Sequence, residues 1–302
     1  MNYLRIFTYL CFVVLFAFYP GNSQLLHTYA YNADLFVPIE EKVTTPTIRP
    51  YPYVTNATTP FVSAPSVYIA DRYSLTPVFE KQAHTPMYPA STSKIITALV
   101  VFDQLKTDDV VTIERVRDEG QVMGLVRGEK ITVESLLYGI LVQSGNDAAY
   151  ALADHVGYDK FIELMNQKAR ALSMKNTVFV NPAGLHSNRQ VSSAFDLSIA
   201  ARELLQNEYL AKMVHTKQIT VSDETFTYFH PLSNVNQLLG SIAGIGGLKT
   251  GYTEEAGENL VTLYRRPDGH ELILVVLKSE DRFSDTKTLV DWIKTSVAYR
   301  TP

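Results

Sequence analysis

The chain has 302 residues, of which 46% are hydrophobic and 19% charged, and its formal net charge is −4. This length allows one large or two small domains with a substantial core. The mild acidity argues against a nucleic-acid partner, because nucleic-acid-binding proteins are normally basic with a clustered positive patch. The single cysteine, Cys11, excludes an intrachain disulfide and a cysteine metal site in the body.

The N-terminus has the three-part pattern of a secretory signal. Arg5 provides a positive charge, residues 6–18 are apolar, and the small residues Gly21 and Ser23 suit positions −3 and −1 of a cleavage site. Residues 1–23 are therefore predicted to be a signal peptide or an uncleaved N-terminal membrane anchor, although the apolar run is shorter than the about 20 residues of a full span. A buried helix is the alternative. Either leading interpretation predicts an extracytoplasmic body: secreted, periplasmic or attached to the cell envelope.

A linker is predicted for residues 24–64, which are rich in proline and threonine. Proline at this density favours extended, weakly ordered chain. A pro-segment is the alternative interpretation. Residues 65–302 are then expected to form the catalytic domain.

Apolar periodicity predicts the elements of this domain in chain order. Strands are expected at 67–70 and 77–80, followed by helices at 91–105, 133–142, 147–156, 158–172 and 194–206, strands at 248–251, 259–264 and 271–277, and a helix at 286–297. Strands at both ends with helices between them predict an α/β (α+β) fold, in which an antiparallel sheet built from both ends of the domain carries an inserted helical lobe.

The first motif that carries chemistry is Ser91-Thr92-Ser93-Lys94. Ser91 is expected near a helix N-terminus, where backbone N–H groups favour a developing oxyanion. Lys94 is three residues further on and therefore lies on the same helical face. A lysine acts as a base only when neutral, which burial and a second cation can achieve. The alternative is a helix cap at Ser91 and a solvated charge at Lys94.

The second motif is Ser144-Gly145-Asn146, in a predicted loop between two helices. The Ser144 hydroxyl could relay a proton, and the Asn146 amide could hold Lys94 or a substrate amide. The alternative is an ordinary loop in which Asn146 or Asp147 caps the next helix.

The third motif, Lys249-Thr250-Gly251, begins a predicted strand. A cation at Lys249 would lower the pKa of Lys94 and attract a carboxylate, and Thr250 could donate a hydrogen bond to that carboxylate. Gly251 would let substrate backbone approach closely. The alternative is a strand with an exposed lysine. Each motif is weak alone, but their order and domain-scale spacing together indicate a serine nucleophile with an amine base.

The stretches between the motifs carry a family resemblance over residues 66–297. It rests on Met123-Gly124-Leu125, Gly128-Glu129, Leu136-Leu137-Tyr138-Gly139, Ser144-Gly145-Asn146-Asp147-Ala148-Ala149, Asn176-Thr177-Val178-Phe179-Val180-Asn181-Pro182-Ala183-Gly184-Leu185, Asn234-Val235-Asn236 and Gly247-Leu248-Lys249-Thr250-Gly251-Tyr252-Thr253. The chain resembles the D-alanyl-D-alanine carboxypeptidases, the low-molecular-weight penicillin-binding proteins of serine peptidase family S11. The resemblance implies a β-lactamase/transpeptidase-like fold.

The resemblance also implies roles in catalysis. Ser91 would be the acylated nucleophile and Lys94 its general base, while Ser144 and Asn146 would assist proton transfer and substrate positioning. No cofactor is implied, because the reaction is acyl transfer to water through an acyl-enzyme.

Substrate binding is implied for a second set of residues. Lys249 and Thr250 would bind the terminal D-alanine carboxylate, and the N–H groups of Ser91 and Tyr252 would form the oxyanion hole. Arg282 falls where the family places an arginine that supports carboxylate binding; an ion pair with a neighbouring aspartate is its alternative. The implied partners are peptidoglycan stem peptides ending in D-Ala-D-Ala, with β-lactams as covalent inhibitors and membrane attachment through the N-terminal segment if it is not cleaved.

Two departures from the family pattern lead to expectations. Tyr252 stands where several relatives have histidine, which is neutral if only its N–H is needed. Few residues follow Trp292, so the second β-rich domain and the amphipathic C-terminal anchor of many relatives are expected to be missing.

Three competing functions remain. A class A-like β-lactamase needs a glutamate for its deacylating water, but the comparable stretch here is Asn181-Pro182-Ala183-Gly184, and the nearest imitation, at Glu203, lies in a predicted helix. A D,D-endopeptidase acting on cross-links would use the same chemistry. A non-catalytic peptidoglycan-binding module is disfavoured by the intact motifs.

Overall fold

The computed structural model describes residues 3–17, 49–56 and 58–301. The chain divides into two compact units, Met1–Ile48 and Arg49–Pro302. In the first unit the described element is helix α1 (Tyr3–Ala17), within the predicted signal or anchor. None of the helices in the described ranges combines the length and apolarity needed to cross a membrane. The predicted cleavage site and the linker residues 24–48 lie outside the described residues.

The second unit contains eleven described strands. They are β1 (Tyr51–Val54), β2 (Ser66–Asp71), β3 (Pro77–Lys81), β4 (Val110–Thr112), β5 (Lys130–Thr132), β6 (Gln218–Ser222), β7 (Phe229–Ser233), β8 (Ile245–Thr253), β9 (Gly257–Arg265), β10 (Glu271–Ser279) and β11 (Val297–Arg300).

Its helices are α2 (Lys94–Gln104), α3 (Val133–Tyr138), α4 (Asn146–Val156), α5 (Tyr158–Ala171), α6 (Ala194–Gln206), α7 (Glu208–Val214) and α8 (Arg282–Ser296). A 3₁₀ turn, Ala90–Ser93, precedes α2, and a π-helical turn, Gly139–Gln143, follows α3.

The main sheet has five strands in the order β3-β2-β10-β9-β8, and every neighbouring pair is antiparallel. Two strands precede the helices in the chain and three follow them. The predicted fold class is therefore confirmed: both ends of the domain build the sheet, and the helices between them form a lobe. Strand β8, which carries the third motif, lies at the edge of this sheet.

Alternating side chains of the central strands face two cores, because successive residues of a strand point to opposite faces. On β10, Ile273, Val275 and Leu277 belong to the larger core shared with the helical lobe. Leu272, Leu274 and Val276 belong to the smaller core under α8. Burial on both faces explains why this strand is a continuous hydrophobic run in the sequence.

The body begins earlier than the predicted boundary at residue 65. Strand β1 pairs with β11, so an extended, proline-containing segment completes a two-stranded sheet with the end of the chain. Val62 and Ala64 are buried in the smaller core. The Asp285 carboxylate accepts hydrogen bonds from the backbone N–H groups of Ser63 and Ala64 at 2.9 Å. The extended conformation suggested by composition is present in β1, and pairing with β11 and contacts of residues 62–64 hold these parts of the segment in place.

Several short elements were not predicted: β1, β4 to β7, β11 and α7. Each has seven residues or fewer, which is too short for a period to stand out from irregular chain. The strands among them depend on pairing with another strand, which is close in the chain for β6 and β7 and far along it for β1 and β11.

Candidate active site

Ser91 lies in the 3₁₀ turn that leads into α2, so the α-helix itself begins at Lys94 and not at Ser91. The preceding residue, Ala90, has a left-handed φ of 47°, a conformation that costs energy for a residue with a side chain and is often found at functional sites. Gly184 permits the close packing at this turn, because a Cβ there would lie 2.0 Å from the Ala90 carbonyl oxygen.

Lys94 is fully buried beneath Ser91. Its Nζ lies 2.8 Å from Ser91 Oγ, 2.6 Å from Asn146 Oδ1 and 2.5 Å from the carbonyl oxygen of Ala183. As an ammonium, Lys94 can donate to all three oxygens. As a neutral amine, it donates to Asn146 and Ala183 and turns its lone pair to the Ser91 hydroxyl. The same contacts are therefore compatible with both protonation states of Lys94.

Burial holds the pKa of Lys94 well below its ordinary value, and the positive charge of Lys249 lowers this pKa further. The Asp147 carboxylate acts in the opposite direction and raises it. Removing an ammonium from water disfavours its charged form, so burial favours the neutral amine. The alternative of a solvated surface lysine at position 94 is wrong.

Ser144 follows the π-helical turn and adopts a left-handed conformation, with φ 65° and ψ 27°. The Gly145 N–H donates to the Gly139 carbonyl at 2.9 Å and closes this turn. π-helical turns and left-handed non-glycine residues are both concentrated at functional sites. The turn directs the Ser144 hydroxyl to Lys249, whose Nζ donates to Ser144 Oγ at 2.8 Å.

Lys249 is also buried, at 2% exposure, which makes the alternative of an exposed strand lysine wrong. Burial is the main cause that lowers its pKa to about 7, and the nearby charge of Arg282 adds to the shift. Its Nζ also donates to the Thr250 carbonyl at 3.0 Å. A protonated Lys249 has three N–H groups, so one donor remains beyond these two partners in the described part of the chain.

Gly251 lies against Ser91 in the structure. A Cβ at Gly251 would be 2.9 Å from the backbone nitrogen of Ser91 and 3.0 Å from the Pro89 carbonyl oxygen. The glycine therefore lets β8 approach the backbone of Ser91, and its part in admitting substrate stays a prediction. Tyr252, the next residue, is 60% exposed, and its part in an oxyanion hole stays a prediction.

Arg282, at the start of α8, contacts the strand that carries the third motif. Its Nη1 donates to the Gly251 carbonyl at 2.9 Å, and its Nε lies 3.9 Å from a Glu258 carboxylate oxygen. The neighbouring aspartates have other tasks: Asp281 caps α8 and Asp285 holds the segment at residues 63–64. The alternative ion pair of Arg282 with these aspartates is therefore wrong.

The structure thus joins the predicted residues through a chain of contacts. Ser91, Lys94 and Asn146 form one hydrogen-bonded group and Ser144 with Lys249 another. Gly251 lies beside the first group.

Sequence reasoning missed three parts of this site. These are the Ala183 carbonyl on Lys94, the carboxylate of Glu258 beside Arg282 and a loop at residues 119–125 that touches Asn146. A backbone carbonyl gives no residue-type signal. Part of the loop lay in the family-like stretch around Gly124, but nothing in the sequence assigned it a role.

The chain is similar to known proteins over most of its length. A family model described as D-alanyl-D-alanine carboxypeptidase, of S11 peptidases, matches residues 53–281. The chain belongs to this family. The D-alanyl-D-alanine carboxypeptidase DacF of Bacillus subtilis is 35% identical over 202 residues, which cover 64% of this chain and 52% of that protein. DacC of Escherichia coli is 32% identical over 251 residues, covering 77% and 62%. The chain therefore spans between half and two thirds of these two relatives.

Solved structures are matched over more of their length. The Streptomyces K15 DD-transpeptidase superimposes with a TM-score of 0.74 at 33% identity, covering 79% of this chain and 99% of that one. A D-alanyl-D-alanine carboxypeptidase from Mycobacterium tuberculosis H37Rv gives a TM-score of 0.74 at 27% identity, covering 80% and 94%. The penicillin-binding-protein fold expected from the resemblance is confirmed.

Proposed function

We propose that this protein is a serine-type D-Ala-D-Ala carboxypeptidase that removes the terminal D-alanine from peptidoglycan pentapeptide stems. The observation that carries the proposal is the buried Lys94 amine, 2.8 Å from Ser91 Oγ and held from the other side by two carbonyl oxygens. A neutral amine in this position is a general base aimed at a serine hydroxyl.

The reaction follows from these contacts. Lys94 takes the hydroxyl proton as Ser91 Oγ attacks the carbonyl carbon of the penultimate D-alanine. The N–H groups of Ser91 and Tyr252 stabilise the oxyanion. The C–N bond then breaks, and the leaving D-alanine amine receives a proton by way of Lys94 and the Ser144 hydroxyl. Water repeats the sequence on the acyl-enzyme, which releases the shortened peptide and restores Ser91.

The strand side of the site supports recognition of a peptide that ends in a free carboxylate. Strand β8 lies at the edge of the sheet, where an extended peptide can add as a further strand. Lys249, with its remaining N–H, the Thr250 hydroxyl and the charge of Arg282 offer a cationic, hydrogen-bonding environment for that carboxylate. This arrangement favours substrates with D-Ala-D-Ala at the C-terminus.

The same acyl transfer makes β-lactams covalent inhibitors of Ser91. A β-lactamase would need a base for the deacylating water. In the loop that faces Lys94, residues 181–184 carry no carboxylate, and the Ala183 carbonyl occupies the place beside the amine. Glu203 lies on α6 and pairs with Lys168 at 3.4 Å. The acyl-enzyme formed with a penicillin is therefore expected to persist.

The deciding experiment is intact mass spectrometry after incubation with a penicillin. A stable adduct of one penicillin, absent from Ser91→Ala, is expected. A folded wild-type protein that forms no adduct would overturn the mechanism and leave a non-catalytic peptidoglycan-binding module, whereas many turnovers of antibiotic would indicate a β-lactamase.

Peptide assays then define the acyl acceptor and the leaving group. Release of free D-alanine from an Xaa-D-Ala-D-Ala peptide is expected. Cleavage of a cross-linked dimer in preference to this peptide would indicate a D,D-endopeptidase. Transfer to an added amine, in preference to water, would indicate a transpeptidase, which is the activity named for the Streptomyces neighbour.

The N-terminal segment supports an extracytoplasmic location. Residues 1–23 would export the chain or anchor it, and the proline-rich residues up to about 48 would hold the catalytic body away from the membrane. Expression in a bacterial host, followed by fractionation and N-terminal sequencing, tests this. Recovery of the uncleaved chain in the cytoplasm would contradict it.

A further inference from the structure

The loop at residues 119–125, which no motif contains, lies directly on Asn146. The Asn146 side-chain nitrogen donates to the Glu119 carbonyl at 2.7 Å, and the Asn146 backbone N–H donates to the Gln121 carbonyl at 2.7 Å. The first of these bonds fixes the orientation of the amide, because its oxygen must then face Lys94.

The reversed amide would disable the base. Its oxygen would meet the Glu119 carbonyl oxygen, and its NH₂ group would meet Lys94 Nζ. An ammonium at Lys94 would be repelled by this NH₂ group. A neutral amine would accept a hydrogen bond from it and lose the lone pair that serves Ser91.

A buried carboxylate, Asp147, holds the loop in place. It is 2% exposed, and all four partners that the structure gives it are backbone N–H groups. Three of them belong to the loop and one to the next residue of its own helix; the four donors are Met123 at 2.9 Å, Gly124 at 2.9 Å, Leu125 at 3.1 Å and Ala148 at 2.9 Å.

A second buried pair holds the far side of the loop. His230 Nε2 lies 2.7 Å from a Glu129 carboxylate oxygen, and His230 Nδ1 lies 3.3 Å from the Met123 carbonyl oxygen. The other Glu129 oxygen accepts from the Val126 N–H at 2.8 Å. Met123 is therefore bound through its N–H by Asp147 and through its carbonyl by His230.

We propose that Asp147 is a positioning residue for the general base: by binding the N–H groups of Met123, Gly124 and Leu125, it fixes the loop whose Glu119 carbonyl forces Asn146 to present its oxygen to Lys94. The inference rests on the proposed function, because it assumes that Lys94 activates Ser91. Asp147 touches neither of these residues, and it acts through Asn146.

The test variant is Asp147→Asn, which keeps the shape but replaces one acceptor oxygen by an NH₂ donor facing N–H groups. The matched control is Asp196→Asn. Asp196 is also a buried carboxylate in the first turn of a helix, and it binds the N–H of Asn176 and the hydroxyl of Thr177, in a turn without site residues. The measurement is the acylation rate by a penicillin across pH, together with the thermal midpoint of each variant.

We expect the acylation rate at the plateau of the pH profile to fall about 10²-fold in Asp147→Asn, because displacement of a reacting group lowers rates by about this factor. Asp196→Asn should keep the wild-type rate even if its thermal midpoint falls as far. Equal losses in the two variants, or no loss in Asp147→Asn, would overturn the inference. Absence of acylation in the wild-type protein would instead refute the proposed function.

The acid limb of the pH profile distinguishes misplacement of the Asn146 amide from a general loosening that exposes Lys94 to water. Asp147 raises the pKa of Lys94, so its neutralisation should move the acid limb to lower pH while the plateau falls. A loosened loop would let water reach Lys94, weaken the desolvation that lowers its pKa, and move the acid limb to higher pH. A shift to higher pH would show that general exposure of Lys94 to water, and not misplacement of the Asn146 amide, slows the reaction, and it would overturn the inference.

A double-mutant cycle tests whether Asp147 acts through Asn146. In an Asn146→Ala background, Asp147→Asn should cost little further rate, because the group it positions is already gone. Additive losses would overturn the inference.

If Asp147→Asn does not fold, Gly120→Ala carries the test, because its Cβ would lie 2.7 Å from the Asn146 side-chain nitrogen. Gly120→Ala should slow acylation without moving the acid limb of the pH profile. An unchanged acylation rate in this variant would overturn the inference.

Discussion

The site has two walls, a helical wall with Ser91 and Lys94 and a strand wall with Lys249 on β8. Each contains a buried lysine, but the surroundings of the two lysines differ. On the helical wall, Lys94 faces Ser91 Oγ and two carbonyl-type oxygens. On the strand wall, Lys249 donates to a hydroxyl and a carbonyl and lies near the charge of Arg282. The first environment suits an amine that exchanges a proton with a serine, and the second suits a cation that binds an anion.

Burial alone therefore does not define the role of a lysine. It lowers the pKa of both amines, to well below the ordinary value for Lys94 and to about 7 for Lys249. A ligand carboxylate near Lys249 would raise that pKa again and stabilise the cation. Lys94 has no comparable anion as a direct partner among the described residues, which fits its proposed role as a base.

The largest expected effect is that of Lys94→Met, which keeps the bulk of the side chain and removes the amine. Loss of a general base should lower the rate of acylation by penicillin about 10³-fold or more. Lys168→Met is the control, because Lys168 is a partly exposed lysine paired with Asp103. Stopped-flow acylation measures the effect, and a loss below tenfold would mean that another group is the base.

His230→Gln tests the support of the helical wall. The Glu129 hydrogen bond is the first cause that raises the pKa of His230 above its ordinary value. Such a pair stabilises fully below the unfolded pKa of about 6.5, and its contribution is lost as pH rises through the folded pKa.

The variant should lose about 3 kcal/mol of unfolding free energy near pH 6, as expected when one partner of a buried pair is removed. The difference from wild type should shrink at alkaline pH. Urea unfolding at several pH values measures it, and a difference that grows with pH would contradict the assignment of a charged histidine.

Lys249→Met tests the strand wall. We expect kcat/KM for a D-Ala-D-Ala peptide to fall about 10²-fold, because the substrate carboxylate loses its buried cation. The acid limb of penicillin acylation should also move to higher pH, since the charge of Lys249 lowers the pKa of Lys94. Equal kcat/KM losses for a carboxylate peptide and its C-terminal amide would refute the role as carboxylate anchor.

The smallest expected effect is that of Arg282→Gln, with a loss of about tenfold in kcat/KM for the peptide. Arg282 lowers the pKa of Lys249, so its removal should let Lys249 stay protonated to higher pH. The alkaline limb of peptide binding, set by a pKa of about 7, should move upward. The C-terminal amide peptide is the control. An unmoved alkaline limb would show that Arg282 does not influence the protonation of Lys249.

Much of the helical wall was predictable because local pattern carries it. Helical periodicity located α2, and the three-residue spacing put Lys94 on the same face as Ser91. The contacts that orient Lys94 and Asn146 were not predictable, because the Ala183 and Glu119 carbonyls are backbone atoms placed by loops. The left-handed conformation of Ser144 depends on a π-helical turn that no local residue preference announces.

The strand wall was predicted less well. A lysine followed by threonine and glycine says nothing about burial, which comes from the position of β8 against the 3₁₀ turn at residues 90–93. The close approach to Ser91 gives Gly251 a structural reason that the sequence did not reveal. The start of the body was also misplaced, because an extended, proline-containing segment looks the same in the sequence whether it is free or paired, as β1 is with β11.

The sequence by itself determined the residue types, their order and the family, because three reactive motifs survive as local patterns along the chain. Only the tertiary structure decided that both lysines are buried and that Asn146 presents its oxygen to one of them. The physical reason is that these properties arise between segments far apart in the chain. They are the removal of the lysines from water, the carbonyl contacts of Lys94, and the hydrogen bonds of Asp147 to residues 123–125. Ser91, Lys94 and Lys249 indicate the chemistry, and burial together with neighbouring charges lowers the pKa of the two lysines.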